Sequence, residues 1–312
     1  MTCMTRTAFT VLLQVIVTLS ALCLAAVSSR GATLPHADAV VGEVQWYSVK
    51  DNESLIEVAR KFDLGFNSIV AANPGIDPFI PPAGTIITIP TAWILPVVST
   101  RPSIVINLPE YRLYFFPKEP TGDIVTYPLG IGDEGTDTPV GRYKIAMKLI
   151  APAWYAPKSI REKSPNVPSV VPPGPDNPLG SHALQLSSHG ILIHGTNRPW
   201  GIGRRSSHGC LRLYPEDIVQ LFKLVPKGTD VVIMNQAVKV AAKGERVFVE
   251  AHSYRGQEAN VLEVIDLLES RKLIAKTDGG KLLRALEEGK GLPVDVTLET
   301  PAPPRSPPRT SL

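Results

Sequence analysis

The residues able to do chemistry are concentrated in residues 193–213, which read I-H-G-T-N-R-P-W-G-I-G-R-R-S-S-H-G-C-L-R-L. Cys210 is the only cysteine beyond the first 25 residues, with His208 two positions before it and His194 sixteen before it. A cysteine with a histidine in reach is a nucleophile and base pair. The imidazole takes the thiol proton, the sulfur attacks a carbonyl, and the proton passes on to a leaving amine. Backbone N–H groups around Gly209 and Cys210 are suited to hold the developing oxyanion, and Gly209 lets the backbone come close. Arg212 suits a substrate carboxylate and equally a surface ion pair. His194, His208 and Cys210 are also metal-ligand types, but no second cysteine pair completes a tetrahedral site, so neither metal nor cofactor is expected. His182 and His189 read as structural. His189 is five residues before His194 and faces the other side of a strand.

Such a pair has to be delivered by a fold. His194 ends the apolar run Ile191-Leu192-Ile193, a predicted strand, and the chain must double back for Cys210 to meet it. Further strands are predicted at residues 103–108, 112–116, 124–129, 142–148, 183–186 and 229–234. Their close spacing with little helix predicts a mainly β domain over 103–235, a sandwich or barrel-like sheet. Residues 151–180 form a long proline-rich stretch. A loop of that length inside a domain is a candidate lid. Trp154 and Tyr155 within it would cover a substrate or pack within the loop. After Cys210, Pro215-Glu216-Asp217 followed by Ile218, Leu221, Phe222 and Val225 predicts a helix.

At the N-terminus, residues 1–30 have the makings of an export signal: Arg6, an apolar stretch to Val27, then small residues at Ala25, Ala26, Ser28 and Ser29. A retained membrane anchor is the other reading of about 20 apolar residues. A lipidated Cys23 is weaker, because Leu22 before it is bulky. Cleavage removes Cys3 and Cys23 and leaves no stable membrane span. Cys210 then remains alone in an exported chain, where cysteines are usually paired. The 312 residues suffice for about two domains of roughly 150 each. A net charge of +3, with no basic cluster carrying interleaved aromatics, argues against nucleic acid.

Residues 45–91 predict a small module of strand, helix, helix, strand. Leu55, Val58, Ala59 and Phe62 form the stripe of its first helix, with Asp51 or Asn52 as cap. A second helix runs over 67–72, a closing strand over 85–90, and residues 91–102 are a linker. A C-terminal extension over 240–295 carries a strand at 246–252 and helices at 261–268 and 282–286. The proline-rich tail 300–312 is predicted disordered.

Two resemblances follow from these residues. The order of elements in 45–91, its Ala-Asn-Pro and its Gly84-Thr85-Ile86-Ile87-Thr88-Ile89-Pro90 ending resemble the LysM module, a binder of N-acetylglucosamine-containing glycans such as peptidoglycan. Asp51-Asn52-Glu53 stands where that module usually has Gly-Asp-Thr. A spacer that only packs on the rest of the chain is therefore the alternative. His194-Gly195-Thr196, followed by Ser207-His208-Gly209-Cys210-Leu211-Arg212-Leu213, resembles the signature of the L,D-transpeptidases with the YkuD catalytic domain. Thr138-Pro139-Val140-Gly141, residues 171–180 and Gly201-Ile202-Gly203 extend the likeness to periplasmic Gram-negative enzymes with an N-terminal LysM module.

The resemblance implies Cys210 as nucleophile, His194 as base, and His208, Ser207 and Gly209 supporting the oxyanion. Arg212, Gly195, Trp154 and Tyr155 are then candidate substrate contacts. It implies attack on the carbonyl of the third peptidoglycan stem residue, typically meso-diaminopimelate, with loss of D-alanine. Transfer then goes to an amine, either a second diaminopimelate (a 3→3 crosslink) or a lysine of an outer-membrane lipoprotein. Hydrolysis by water, as an L,D-carboxypeptidase or endopeptidase, and a non-catalytic peptidoglycan tether are the alternatives.

Overall fold

The computed structural model describes residues 32–34, 39–96, 103–118, 123–188, 190–256 and 259–299. The predicted export signal, His189 and the proline-rich tail lie outside the described residues. No helix among those described is long and apolar enough to cross a membrane.

Nine strands form one curled sheet in the order Ala32–Leu34, Ile124–Pro128, Arg112–Phe116, Ser103–Asn107, Asp230–Met234, Gly141–Ile150, His182–Leu186, Leu192–His194 and Leu211–Arg212. The protein is mainly β, as its strand spacing predicts. The long strand Gly141–Ile150 pairs with Asp230–Met234 over its first half and with His182–Leu186 over its second, which bends the sheet. His194 and Cys210 end up at one edge. Leu192–His194 pairs in parallel with Leu211–Arg212, Ile193 opposite Leu211 and His194 opposite Arg212. A parallel pairing needs a long connection, and residues 195–210 supply it.

Arg112–Phe116 shows why several strands read as unbroken apolar runs. Leu113 and Phe115 point into a core closed by the helix Pro215–Leu224, through Ile218 and Leu221. Tyr114 and Phe116 point to the other face and pack with Leu55, Val58, Ile69 and Ile87 of the N-terminal module. Both faces are covered, so alternation between apolar and polar residues disappears. The module, read from the sequence as separate, therefore shares one core with this sheet.

Within the module, Gln45–Ser48 pairs with Ile86–Ile89 around the helices Leu55–Lys61 and Phe66–Ala72. The first helix is capped by Ser54, not by Asp51 or Asn52. The Ser54 hydroxyl accepts from Glu57 N while the Glu57 carboxylate accepts from Ser54 N, the reciprocal box that satisfies two orphan donors. The predicted linker contains a strand, Ala92–Ile94, paired with Val40–Gly42. Its Trp93 lies under the Arg112 guanidinium at 4.4 Å.

The C-terminal extension adds a three-stranded sheet, Val238–Lys243, Arg246–Ala251 and Val294–Asp295, under the helices Val261–Ser270 and Gly279–Glu288. It joins the rest through buried charge. Lys239 Nζ reaches Glu110 at 2.8 Å and Glu250 at 2.9 Å and donates to Ile94 O at 2.5 Å. Glu110, Glu250 and His252 are spaced like metal ligands, but the Lys239 ammonium supplies the cation that the two carboxylates require.

Candidate active site

The base candidate is held by packing and by the backbone. His194 is 3% exposed, and its Nδ1 donates to Gly195 O at 2.6 Å, with the Leu179 carbonyl also facing the ring. A carbonyl only accepts, so Nδ1 carries the proton and the neutral ring keeps its lone pair on Nε2. Burial, aided by the positive charge of Arg212, pushes the His194 pKa down to about 4. The imidazole is therefore neutral at neutral pH and able to receive a proton. Gly195 leaves room for this arrangement: a Cβ there would sit 3.0 Å from Ile218 Cγ2.

Strand pairing brings Cys210 near His194. His194 is paired with Arg212, Cys210 immediately precedes that strand, and the Arg212 charge acts on both, so the three side chains lie close together. No hydrogen bond joins Cys210 to His194 among the described residues. The half-buried thiol donates instead to Gly190 O at 3.5 Å. Burial raises its pKa, opposed by the Leu192 N–H and by Arg212. The resting pair is thus a neutral thiol and a neutral imidazole.

The turn before Cys210 is gripped by its carbonyls. Ser207 O accepts from Asp133 N at 2.8 Å and from the Thr136 hydroxyl at 3.1 Å. Gly209 O accepts from Thr138 Oγ1 at 3.1 Å, and Cys210 O accepts from the buried Ser207 hydroxyl at 2.5 Å. Gly209 takes φ +94°, a conformation that L side chains rarely adopt. Among the described residues, no hydrogen bond uses the backbone N–H of His208, Gly209 or Cys210. With the carbonyls of Ser207, Gly209 and Cys210 engaged, these N–H groups remain as donors for an anion. His208 is exposed beside them.

Arg212 makes no ion pair among the described residues. One guanidinium nitrogen donates to Ser206 O at 2.9 Å, while Nε is buried without a partner. Its pKa is lowered by burial, with the neighbouring cysteine acting the other way. Trp154–Tyr155 pairs with Val170–Val171 as a short ribbon in the proline-rich stretch, with Tyr155 72% exposed. His182 has a structural setting: its Nδ1 meets Ser181 Oγ at 2.9 Å and its ring stands edge-on to Phe222.

Two positions quoted from the sequence only as parts of family-like segments, Asn177 and Thr138, prove to brace the site. Asn177 is fully buried, and its amide donates to the carbonyls of Pro152, Val171 and Pro172 at 2.8–3.1 Å while its oxygen accepts from Leu179 N. It holds the proline-rich stretch beside the carbonyl that faces His194. Thr138 links Gly132 N to Gly209 O. Asn177 carried a weak signal, a turn-forming residue amid Pro and Gly that has no business in a core unless fully bonded.

A buried histidine and a half-buried cysteine at the edge of a curled sheet are the setting that acyl transfer through a thioester requires. Residues 101–233 match the YkuD family model, described as the L,D-transpeptidase catalytic domain. The chain is 37% identical to the "Probable L,D-transpeptidase YcfS" of Escherichia coli K12 over 293 residues, 88% of this chain and 91% of that protein. It is 35% identical to the "Probable L,D-transpeptidase YbiS" of the same strain over 272 residues, 82% and 88% of the two chains. Among solved structures, L,D-transpeptidase 3 of Mycobacterium tuberculosis is similar at 16% identity and TM-score 0.34, over 43% of this chain and 60% of that one. The chain belongs to the YkuD L,D-transpeptidase family and is an L,D-transpeptidase.

Proposed function

We propose that the protein works in the periplasm on peptidoglycan tetrapeptide stems, with Cys210 as nucleophile and His194 as base. The observation that carries this reading is the placing of Cys210 and His194 about a shared neighbour, Arg212, beside a turn whose N–H groups are unengaged among the described residues. The thiol rotates from Gly190 O toward His194 Nε2 as a stem enters. Sulfur attacks the carbonyl of the third residue, meso-diaminopimelate, as the proton moves to the imidazole. The thiolate develops only as the C–S bond forms, since burial disfavours it beforehand.

The oxyanion is received by the N–H groups of Gly209 and Cys210 with His208 alongside, where preorganised donors are most effective. The imidazolium passes its proton to the departing D-alanine amine. An acceptor amine, from a second diaminopimelate or an outer-membrane lipoprotein lysine, then cleaves the thioester and gives up its proton to His194. Arg212, Gly195, Trp154 and Tyr155 are the residues assigned to substrate. The LysM-like module is assigned to glycan, with exposed Phe79 and Ile80 on the loop between its second helix and closing strand.

Purified protein incubated with meropenem should gain the mass of one acyl adduct, lost in Cys210→Ala. An unshifted mass, or an adduct that survives Cys210→Ala, contradicts the assignment. Tripeptide as the sole product at every acceptor concentration would instead identify a carboxypeptidase.

A further inference from the structure

The second helix of the N-terminal module, Phe66–Ala72, begins at Gly65 without a side-chain cap. Its first N–H groups still need acceptors, and they find them outside the module. Phe66 N donates to Ile202 O at 3.1 Å and Asn67 N to Gly203 O at 3.2 Å. Residues 202 and 203 belong to the connection between His194 and Cys210. The two backbones touch. A Cβ on Gly203, whose φ is +78°, would lie 2.2 Å from Phe66 N, and one on Gly65 would lie 2.6 Å from Gly203 Cα. The next residue, Arg204, lays its guanidinium on the Phe66 ring, 3.5 Å from the centroid. Its Nε and Nη2 are buried without a hydrogen-bond partner, so the ring is the principal company of that charge.

The same turn of the module holds the chain on the other side of the cysteine. Leu64 O accepts from the Tyr214 hydroxyl at 3.1 Å. Arg60 meets Glu216 through both of its nitrogens facing the carboxylate, at 2.9 and 3.0 Å. From the upstream grip, contacts run on to the nucleophile. Arg204 O accepts from Ile131 N, Arg212 donates to Ser206 O, and Ser207 closes on Cys210 O. Residues 60–67 therefore clasp the cysteine segment at 202–204 and again at 214–216.

We propose that the N-terminal module acts in cis as a positioning element for the nucleophile, with Phe66 and Arg204 as its principal positioning residues. The proposal rests on Cys210 being that nucleophile. His194 is fixed by its own strand and by the carbonyls around it, whereas Cys210 sits at the end of a sixteen-residue connection. Something must hold that connection in register with the base. Leu129 and the strand Ile131–Gly132 hold it from one side, and the module holds it from the other, through the carbonyls of Ile202 and Gly203 and the ring of Phe66. A displacement of the order of 1 Å at a reacting atom costs about a hundredfold in rate.

The test is acylation of full-length protein by meropenem, followed by intact mass over time and separated into a binding constant and an acylation rate constant. Arg204→Ala and Phe66→Leu should each slow acylation about 10- to 100-fold with binding little changed, at temperatures well below each variant's melting point. Phe66→Tyr keeps the ring and should restore the rate. Trp46→Ala, on the module's exposed strand face, should acylate like wild type. Wild-type acylation rates in Arg204→Ala and Phe66→Leu, or losses that Phe66→Tyr does not rescue, overturn the proposal. An adduct persisting in Cys210→Ala would strike the nucleophile assignment instead, whatever the Arg204 result.

Discussion

The two ends of the proposed catalytic segment are built in opposite ways. His194 lies inside the protein, on a strand, with its ring held by backbone carbonyls. His208 and Cys210 lie on a glycine-containing turn whose carbonyls are held and whose side chains are freer, His208 being exposed. The difference teaches how labour is divided. A base has to be fixed and dry so that its protonation state is set. A nucleophile and an oxyanion site have to meet substrate, and are held from behind by the backbone.

The largest effect is expected from removing the fixed histidine. His194→Ala should lower transpeptidation about 10²–10⁴-fold, the range of a general base, as measured by crosslinked muropeptide formed per unit time. Gly209→Ala tests the turn. The space around it is open, with the nearest atoms 3.6 Å from a built Cβ, so only the positive φ opposes the change. That strain of about 1–2 kcal/mol should pull the turn toward another conformation and cost about tenfold in meropenem acylation. His208→Ala should cost about tenfold or less, an ordinary hydrogen bond's worth of oxyanion support. A larger loss in His208→Ala than in His194→Ala reverses the comparison.

How much of this was legible in the sequence depends on the range of the interaction concerned. Arg112–Phe116 could be read directly, because an aromatic-rich run follows the turn Asn107-Leu108-Pro109-Glu110 and stops at Pro117. Cys210, His194 and His208 stood out by type and spacing alone. The strand Val238–Lys243 was not read, since Lys239 and Lys243 look like surface while Lys239 is buried on an ion network whose acids come from elsewhere in the chain. The cap at Ser54 was missed by preferring the turn residues before it. That Cys210 rests on Gly190 O rather than on His194 depends on a rotamer, which spacing does not encode. The docking of Gly65 on Gly203 joins residues far apart in sequence. Each glycine alone reads as a turn.

A smaller effect sharpens the contrast from the side of stability. Asp217, in the first turn of the helix after the cysteine, is fully buried, and its pKa is raised well above the ordinary carboxylate value by burial and then by the nearby Asp63 carboxyl. Folding therefore favours its protonated form. That contribution is complete below the unfolded value of about 4 and is lost as pH rises through the folded value. Asp217→Asn, neutral at every pH, should melt about 2–4 °C above wild type at neutral pH, and the gap should close as pH falls toward 4. A variant that melts lower at neutral pH would assign the ionised carboxylate a stabilising role.

The most direct test of the central claim, that a buried neutral His194 serves a neutral Cys210 thiol, is the pH dependence of Cys210 alkylation by iodoacetamide. Wild type should show a rate nearly flat across the neutral range, falling only as His194 becomes protonated near its pKa of about 4. His194→Ala should lose that plateau and rise about tenfold per pH unit, following the thiolate alone. His208→Ala should keep the plateau. A His194→Ala profile that stays flat, or a plateau that disappears in His208→Ala, contradicts the assignment.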